Sequence, residues 1–213
     1  MRSDPKCQLY LITPPDFRRV TSLEFEHQLA SVLDSGNIAC VQLRLKDTPE
    51  NISVAADQLI QIVQDRDVAF ILNDNPVLAT KLGCDGVHIG QNDASYQEAR
   101  QLLGQEKIVG VTCHNSIHLA MEAAEAGADY VAFGAFYESF TKPRQFEAKT
   151  KLLDTWTLTT TVPSVAIGGI TVENCLPIVE AGADFIAVSE GIWGHIDGPA
   201  KATQAFNDVL LGS

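Results

Sequence analysis

The sequence has no CxxC spacing, no apolar run of the ~18 residues needed to cross a bilayer, and few basic side chains. Each absence excludes something. Without CxxC pairs or a Cys/His cluster, thiolate-bound zinc is not expected. The five cysteines (Cys7, Cys40, Cys84, Cys113, Cys175) are odd in number, and three sit in or beside apolar runs. They read as buried free thiols of a reducing compartment. No membrane contact is expected. The opening MRSDPKC has no long apolar segment after its charges, so no signal peptide is expected and the predicted location is cytoplasmic. Only 15 Lys and Arg stand against 27 Asp and Glu, a net charge of −12. That sets aside nucleic acid and anionic membrane as main partners, yet leaves room for a local basic pocket holding a small anion. A homodimer is compatible with the sequence, which does not fix the oligomeric state.

What the chain does have is a repeat. Its 213 residues, 46% hydrophobic and 20% charged, suit one domain (1–213) with a sizeable core. Short β-rich runs occur at Gln8–Thr13, Ile38–Leu45, Val68–Asn73, Gly86–Gly90, Ile108–Cys113, Tyr130–Phe136, Ser164–Gly168 and Phe185–Ser189. Most are apolar on successive residues, as in parallel strands covered on both faces. Helical spacing lies between them. In Asn115–Ala126 the apolar set is Ile117, Ala120, Met121 and Ala124, with His118, Glu122 and Glu125 opposite. Gly83-Cys-Asp85, Gly127-Ala-Asp129 and Gly182-Ala-Asp184 each close a helical stretch and open a strand. Eight strands alternating with helices over 213 residues predict an α/β fold, a (β/α)8 TIM barrel; a doubly wound open sheet is the alternative.

In a parallel barrel the chemistry sits at the C-terminal strand ends. In ILNDNPVLATKLGCDGVHIGQND (71–93), two apolar runs each end in a carboxylate, Asp74 and Asp93. On adjacent strands they can converge at one edge of the mouth. Hard oxygen donors of this kind suit Mg²⁺, usually held by one or two carboxylates plus substrate phosphates; each alone would read as a loop or cap residue. Gln42, Arg44 and Lys46 alternate with Leu43 and Leu45, so three long polar chains share a face. Inside an apolar barrel they need partners, whether a bound anion or acids at the rim. Gly168-Gly169 precedes Thr171, a candidate cap for the next helix, and reads as an anion-binding turn or simply a tight one. His88 reads as a satisfied core histidine. His114 reads equally as a substrate contact or a loop residue.

These strand ends, in this order, resemble the thiamine phosphate synthase family. The matching stretches are QLRLK (42–46), ILND (71–74), GVHIGQND (86–93), GVTCHN (110–115), GADYVAFGAFYESFTK (127–142) and PSVAIGGITVENCLPIVEAGAD (163–184). The resemblance implies a barrel transferase of thiamine biosynthesis. It would condense 4-amino-2-methyl-5-pyrimidinylmethyl diphosphate with 4-methyl-5-(2-phosphooxyethyl)thiazole, giving thiamine phosphate and pyrophosphate. By position, Gln42, Arg44, Lys46, Asn73, Thr112 and Lys142 would hold the pyrimidine diphosphate. Asp74 and Asp93 would bind Mg²⁺. Ser139, Phe140, Thr141, Gly169, Ser189 and Glu190 would surround the thiazole phosphate. Arg44, Lys46 and Lys142 would serve catalysis by neutralising the leaving diphosphate, with no nucleophilic side chain required.

Four positions depart from the family pattern. Ser139-Phe140-Thr141-Lys142 stands for Thr-x-Thr-Lys, Ala135 is in the register of a proline, and Asn75 stands where an arginine commonly follows Asn-Asp. Glu190 replaces a small hydroxyl residue, and a carboxylate there repels a phosphate unless it turns away or binds a cation. Two other readings compete. A thiazole tautomerase would carry a histidine near Ala135. A non-catalytic barrel would bind a phosphorylated ligand without turnover, and Phe140 and Glu190 are the residues that favour it.

Overall fold

The computed structural model describes residues 7–15, 22–138 and 145–212. Eight parallel strands close into a barrel in chain order: β1 Gln8–Ile12, β2 Ile38–Leu43, β3 Ala69–Asn73, β4 Gly86–Ile89, β5 Ile108–His114, β6 Tyr130–Gly134, β7 Ser164–Ile167 and β8 Phe185–Val188. The outer layer consists of α1 Ser22–Leu33, α2 Pro49–Gln64, α3 Pro76–Leu82, α4 Tyr96–Leu103, α5 Ile117–Ala126, α6 Thr150–Thr159, α7 Leu176–Glu180, α8 Glu190–Trp193 and α9 Pro199–Gly212. The barrel predicted from the repeat is thus the observed fold, not the open sheet. Among the described residues no helix is long and apolar enough to cross a membrane. All five cysteines are free and buried.

Two apolar layers follow from strand alternation. Inside the barrel lie Tyr10, Ile12, Cys40, Ile71, Tyr130, Ala132, Val165 and Ala187. Residues of opposite parity, such as Leu9, Val41, Leu72 and Phe133, point outward into the larger core shared with the helices. There Phe133 meets Trp156 of α6 edge-on, with ring centroids 5.5 Å apart. On α5 the buried face is set one step from expectation: Ala120 and Ala123 are buried, whereas Met121 is exposed. Alanines let that helix lie close to the sheet, and the longer Met121 projects at the edge of the face.

The Gly-x-Asp junctions hold the barrel floor. Gly83 and Gly127 are left-handed helix caps, at φ 73° and 102°. Each aspartate then reaches back to the preceding strand. Asp85 accepts from Phe70 N (2.9 Å), Asp129 from Val109 N (2.7 Å) and Asp184 from Ser164 N (2.8 Å). These three carboxylates satisfy backbone donors at strand starts, so their recurrence is structural. Asp74 and Asp93 lie at the opposite end.

Candidate active site

The inward rows, extended upward, reach the candidate residues. From Cys40 the alternation passes to Gln42, Arg44 and Lys46; from Ile71 to Asn73; from Val165 to Gly169; and from Ala187 to Ser189. β2 ends at Leu43, two residues short of the predicted strand. Past it the Arg44 N–H donates to Thr13 Oγ1 (3.0 Å), a side chain in place of a ladder partner. That turn leaves Gln42 buried, Arg44 half-buried and Lys46 exposed at the rim.

Asp74 has outward parity, following Leu72, and a left-handed turn at φ 70° redirects it. Aspartate tolerates this conformation better than most residues. Its N–H is anchored on His88 O (2.8 Å), and its carboxylate lies 3.7 Å from Lys46 Nζ. Asn75, the departure from the family pattern, has a local task. Its side chain caps α3 by accepting from Leu78 N (2.9 Å), just ahead of Pro76. Asp93 comes from the turn after β4, where Gly90 N donates to its Oδ2 (2.7 Å).

The two carboxylates interact. Burial, and next the Asp93 charge, push the Asp74 carboxyl above its ordinary value, while Lys46 and Arg44 pull it down. Like charges held together gain from a cation between them. Among the described residues no group of three His, Cys, Asp or Glu is placed to hold a metal. Paired carboxylate oxygens nonetheless suit an ion that completes its shell with water and substrate phosphate, as Mg²⁺ does.

On the other side of the mouth, the loops after β6, β7 and β8 pack on one another. Gly168 and Gly169 (φ 110° and 62°) leave no room for a Cβ against Ala135 and Glu138, and Gly191 none against Ile170 O. The glycine pair does not open a helix capped by Thr171, as its spacing suggested. Thr171 N donates to Asn174 Oδ1 and Asn174 Nδ2 to Gly169 O, closing a turn; α7 starts only at Leu176, followed by Pro177. The Ser189 hydroxyl donates to Thr13 O (3.3 Å), tying β8 to β1. Glu190 is exposed and its carboxylate lies against Gly194, one turn along α8. It therefore turns away from the cluster of loops. Ser139, Phe140, Thr141 and Lys142 lie outside the described residues.

The alternation pattern left one feature unread, a polar line beneath the mouth. Gln42 Nε2 donates to Tyr10 Oη (2.9 Å), Tyr10 Oη pairs with Tyr130 Oη (2.9 Å), Tyr130 Oη with His88 Nδ1 (2.9 Å), and His88 Nε2 with Thr112 Oγ1 (2.7 Å). Full burial pushes His88 down to about 4, with the Arg44 charge adding to the shift, so the ring is neutral near pH 7. Two tyrosines at inward positions of apolar strands were the available signal. His114 does not join them. A bulge after Thr112 and a left-handed φ of 52° turn it outward, and its ring stacks on Phe146 with centroids 4.2 Å apart.

Comparison with known proteins identifies the family and agrees with the barrel fold. The family model described as thiamine monophosphate synthase matches residues 9–192. A thiamine-phosphate synthase of Rhodospirillum centenum is 55% identical over 207 residues, covering 97% of this chain and 99% of that protein. One of Hyphomonas neptunium is 48% identical over 211 residues, covering 97% and 95%. The solved thiamine phosphate pyrophosphorylase of Pyrococcus furiosus superposes with a TM-score of 0.82 at 26% identity, covering 97% of this chain and 96% of that one. With a barrel of this order and a match over nearly its whole length, the chain belongs to the thiamine monophosphate synthase family.

Proposed function

We propose that this barrel makes thiamine phosphate by joining the pyrimidinylmethyl diphosphate to the thiazole phosphate, a transferase reaction that releases pyrophosphate. The carrying observation is the paired Asp74 and Asp93 carboxylates at the rim, with Lys46 and the Arg44 charge beside them. An acidic pair next to cationic side chains suits a diphosphate held through a divalent ion.

Gln42, Asn73 and Thr112 would line the pyrimidine side, at the ends of β2, β3 and within β5. Arg44, Lys46 and Lys142 would neutralise the diphosphate as its bond to the methylene carbon breaks. Asp74 and Asp93 would hold Mg²⁺, which when bound supplies charge stabilisation to the departing oxygens. The thiazole nitrogen is the nucleophile, so the protein need only orient it. Gly169, Ser189, Glu190 and residues 139–141 would surround its phosphate. At Glu190 the backbone would serve, since the carboxylate points toward Gly194. One barrel domain, 1–213, would carry the whole reaction.

The direct assay incubates purified protein with both substrates and Mg²⁺ and follows thiamine phosphate and pyrophosphate in equal amounts. No product under those conditions overturns the reading. A finer expectation concerns the thiazole side. Glu190→Ser leaves the KM for the thiazole phosphate unchanged, because the carboxylate it removes is already averted. A clear fall in that KM would mean that Glu190 faces the phosphate after all.

A further inference from the structure

We propose that Tyr130 is a positioning residue: it completes a one-way hydrogen-bonded line that makes Gln42 an acceptor and Thr112 a donor toward the mouth. The proposal rests on Gln42 and Thr112 serving the pyrimidine. The line runs Gln42, Tyr10, Tyr130, His88, Thr112, contributed by β2, β1, β6, β4 and β5.

Counting protons gives the direction. Gln42 Nε2 has hydrogens and no lone pair, so it donates to Tyr10. Tyr10 has one proton to pass on. The buried Cys40 thiol also lies beside it, but sulfur is a weak acceptor, so the proton goes to Tyr130. Tyr130 in turn donates to His88 Nδ1. A neutral imidazole accepting there carries its proton on Nε2 and donates to Thr112. What remains at the two ends is the Gln42 carbonyl oxygen and the Thr112 hydroxyl proton. One free acceptor and one free donor complement the polar groups of an aminopyrimidine, which offers amino N–H donors and ring-nitrogen acceptors.

Packing keeps Tyr130 from leaving the line. Its ring fills the space over Gly110, where any Cβ would overlap it. Tyr10 meets it edge-on at 5.9 Å, and His88 lies nearly parallel to it at 5.6 Å. The ring is thus held by shape, and its hydroxyl alone links the two halves of the line. Removing only that oxygen frees His88 to take either tautomer and Gln42 to turn its amide.

The test is Tyr130→Phe. Nitrogen NMR of the substrate-free wild type should show His88 protonated at Nε2 and bare at Nδ1, and in Tyr130→Phe that single tautomer is lost. The KM for the pyrimidine diphosphate rises about tenfold, the worth of one hydrogen bond. Inhibition by inorganic pyrophosphate is unchanged, since the charged groups are untouched. Thr112→Val, costly in the wild type, costs little more in the Tyr130→Phe background. Additive effects, or wild-type His88 protonated at Nδ1, overturn the proposal. If Tyr130→Phe gives no cooperative melting transition, Tyr10→Phe cuts the line one link earlier with the same expected outcomes. A wild type that forms no thiamine phosphate defeats the functional reading separately, and the His88 tautomer still decides the relay.

Discussion

Asp74→Asn lowers turnover at saturating substrates by about two orders of magnitude, the ~3 kcal/mol typical of losing one preorganised electrostatic group. The substitution preserves shape and removes half of the acidic pair, so it also raises the Mg²⁺ concentration needed for half-maximal rate. Asp93→Asn acts in the same direction. Stability of the metal-free protein should move the other way. The Asp74 carboxyl is raised in the folded state, by burial and then by Asp93. Its ionisation therefore costs folding free energy above the folded value, and that cost vanishes as pH falls below the ordinary carboxylate range. With Mg²⁺ chelated near pH 7, Asp74→Asn accordingly melts at or above the wild-type temperature; near pH 3 the two coincide. Calorimetry with and without Mg²⁺ measures this. Unchanged Mg²⁺ dependence in both variants removes the metal assignment, whatever happens to the rate.

Arg44→Met is the second large effect. The methionine keeps much of the stem that rises from β2 and removes the guanidinium. Loss of a charge-assisted contact to the diphosphate costs about 2 kcal/mol, or some thirtyfold in kcat/KM for that substrate. The KM for the thiazole phosphate stays put. Equal losses for both substrates would show general damage to the mouth instead. The Arg44 charge also lowers Asp74. Without it the Asp74 carboxyl rises further, so the acid limb of the pH–rate profile shifts to higher pH. His88 remains neutral in this variant, because burial is the larger cause of its shift.

The limits of sequence reading show at particular residues. Strand ends were legible to within two positions because buried parallel strands are apolar runs closed by turn residues, as at Ile38–Leu43 and Phe185–Val188. Asp85, Asp129 and Asp184 were recognisable as a repeat, but their carboxylates find backbone partners one strand away. Thr171 looked like a helix cap, and the Asn174 side chain won the competition for its neighbourhood. Glu190 read as a clash until its side-chain direction was known.

By itself the order of residues determined that eight staves would close and that polar side chains would gather at one end. Strand period and helix spacing are local, and closure follows from repeating them. Only the assembled molecule decided where each of those side chains points. The left-handed turn at Asp74, the averted Glu190 and the pairing of Tyr10 with Tyr130, 120 positions apart, all depend on atoms distant in the chain. No local rule can encode such meetings, because they exist only once the barrel has closed.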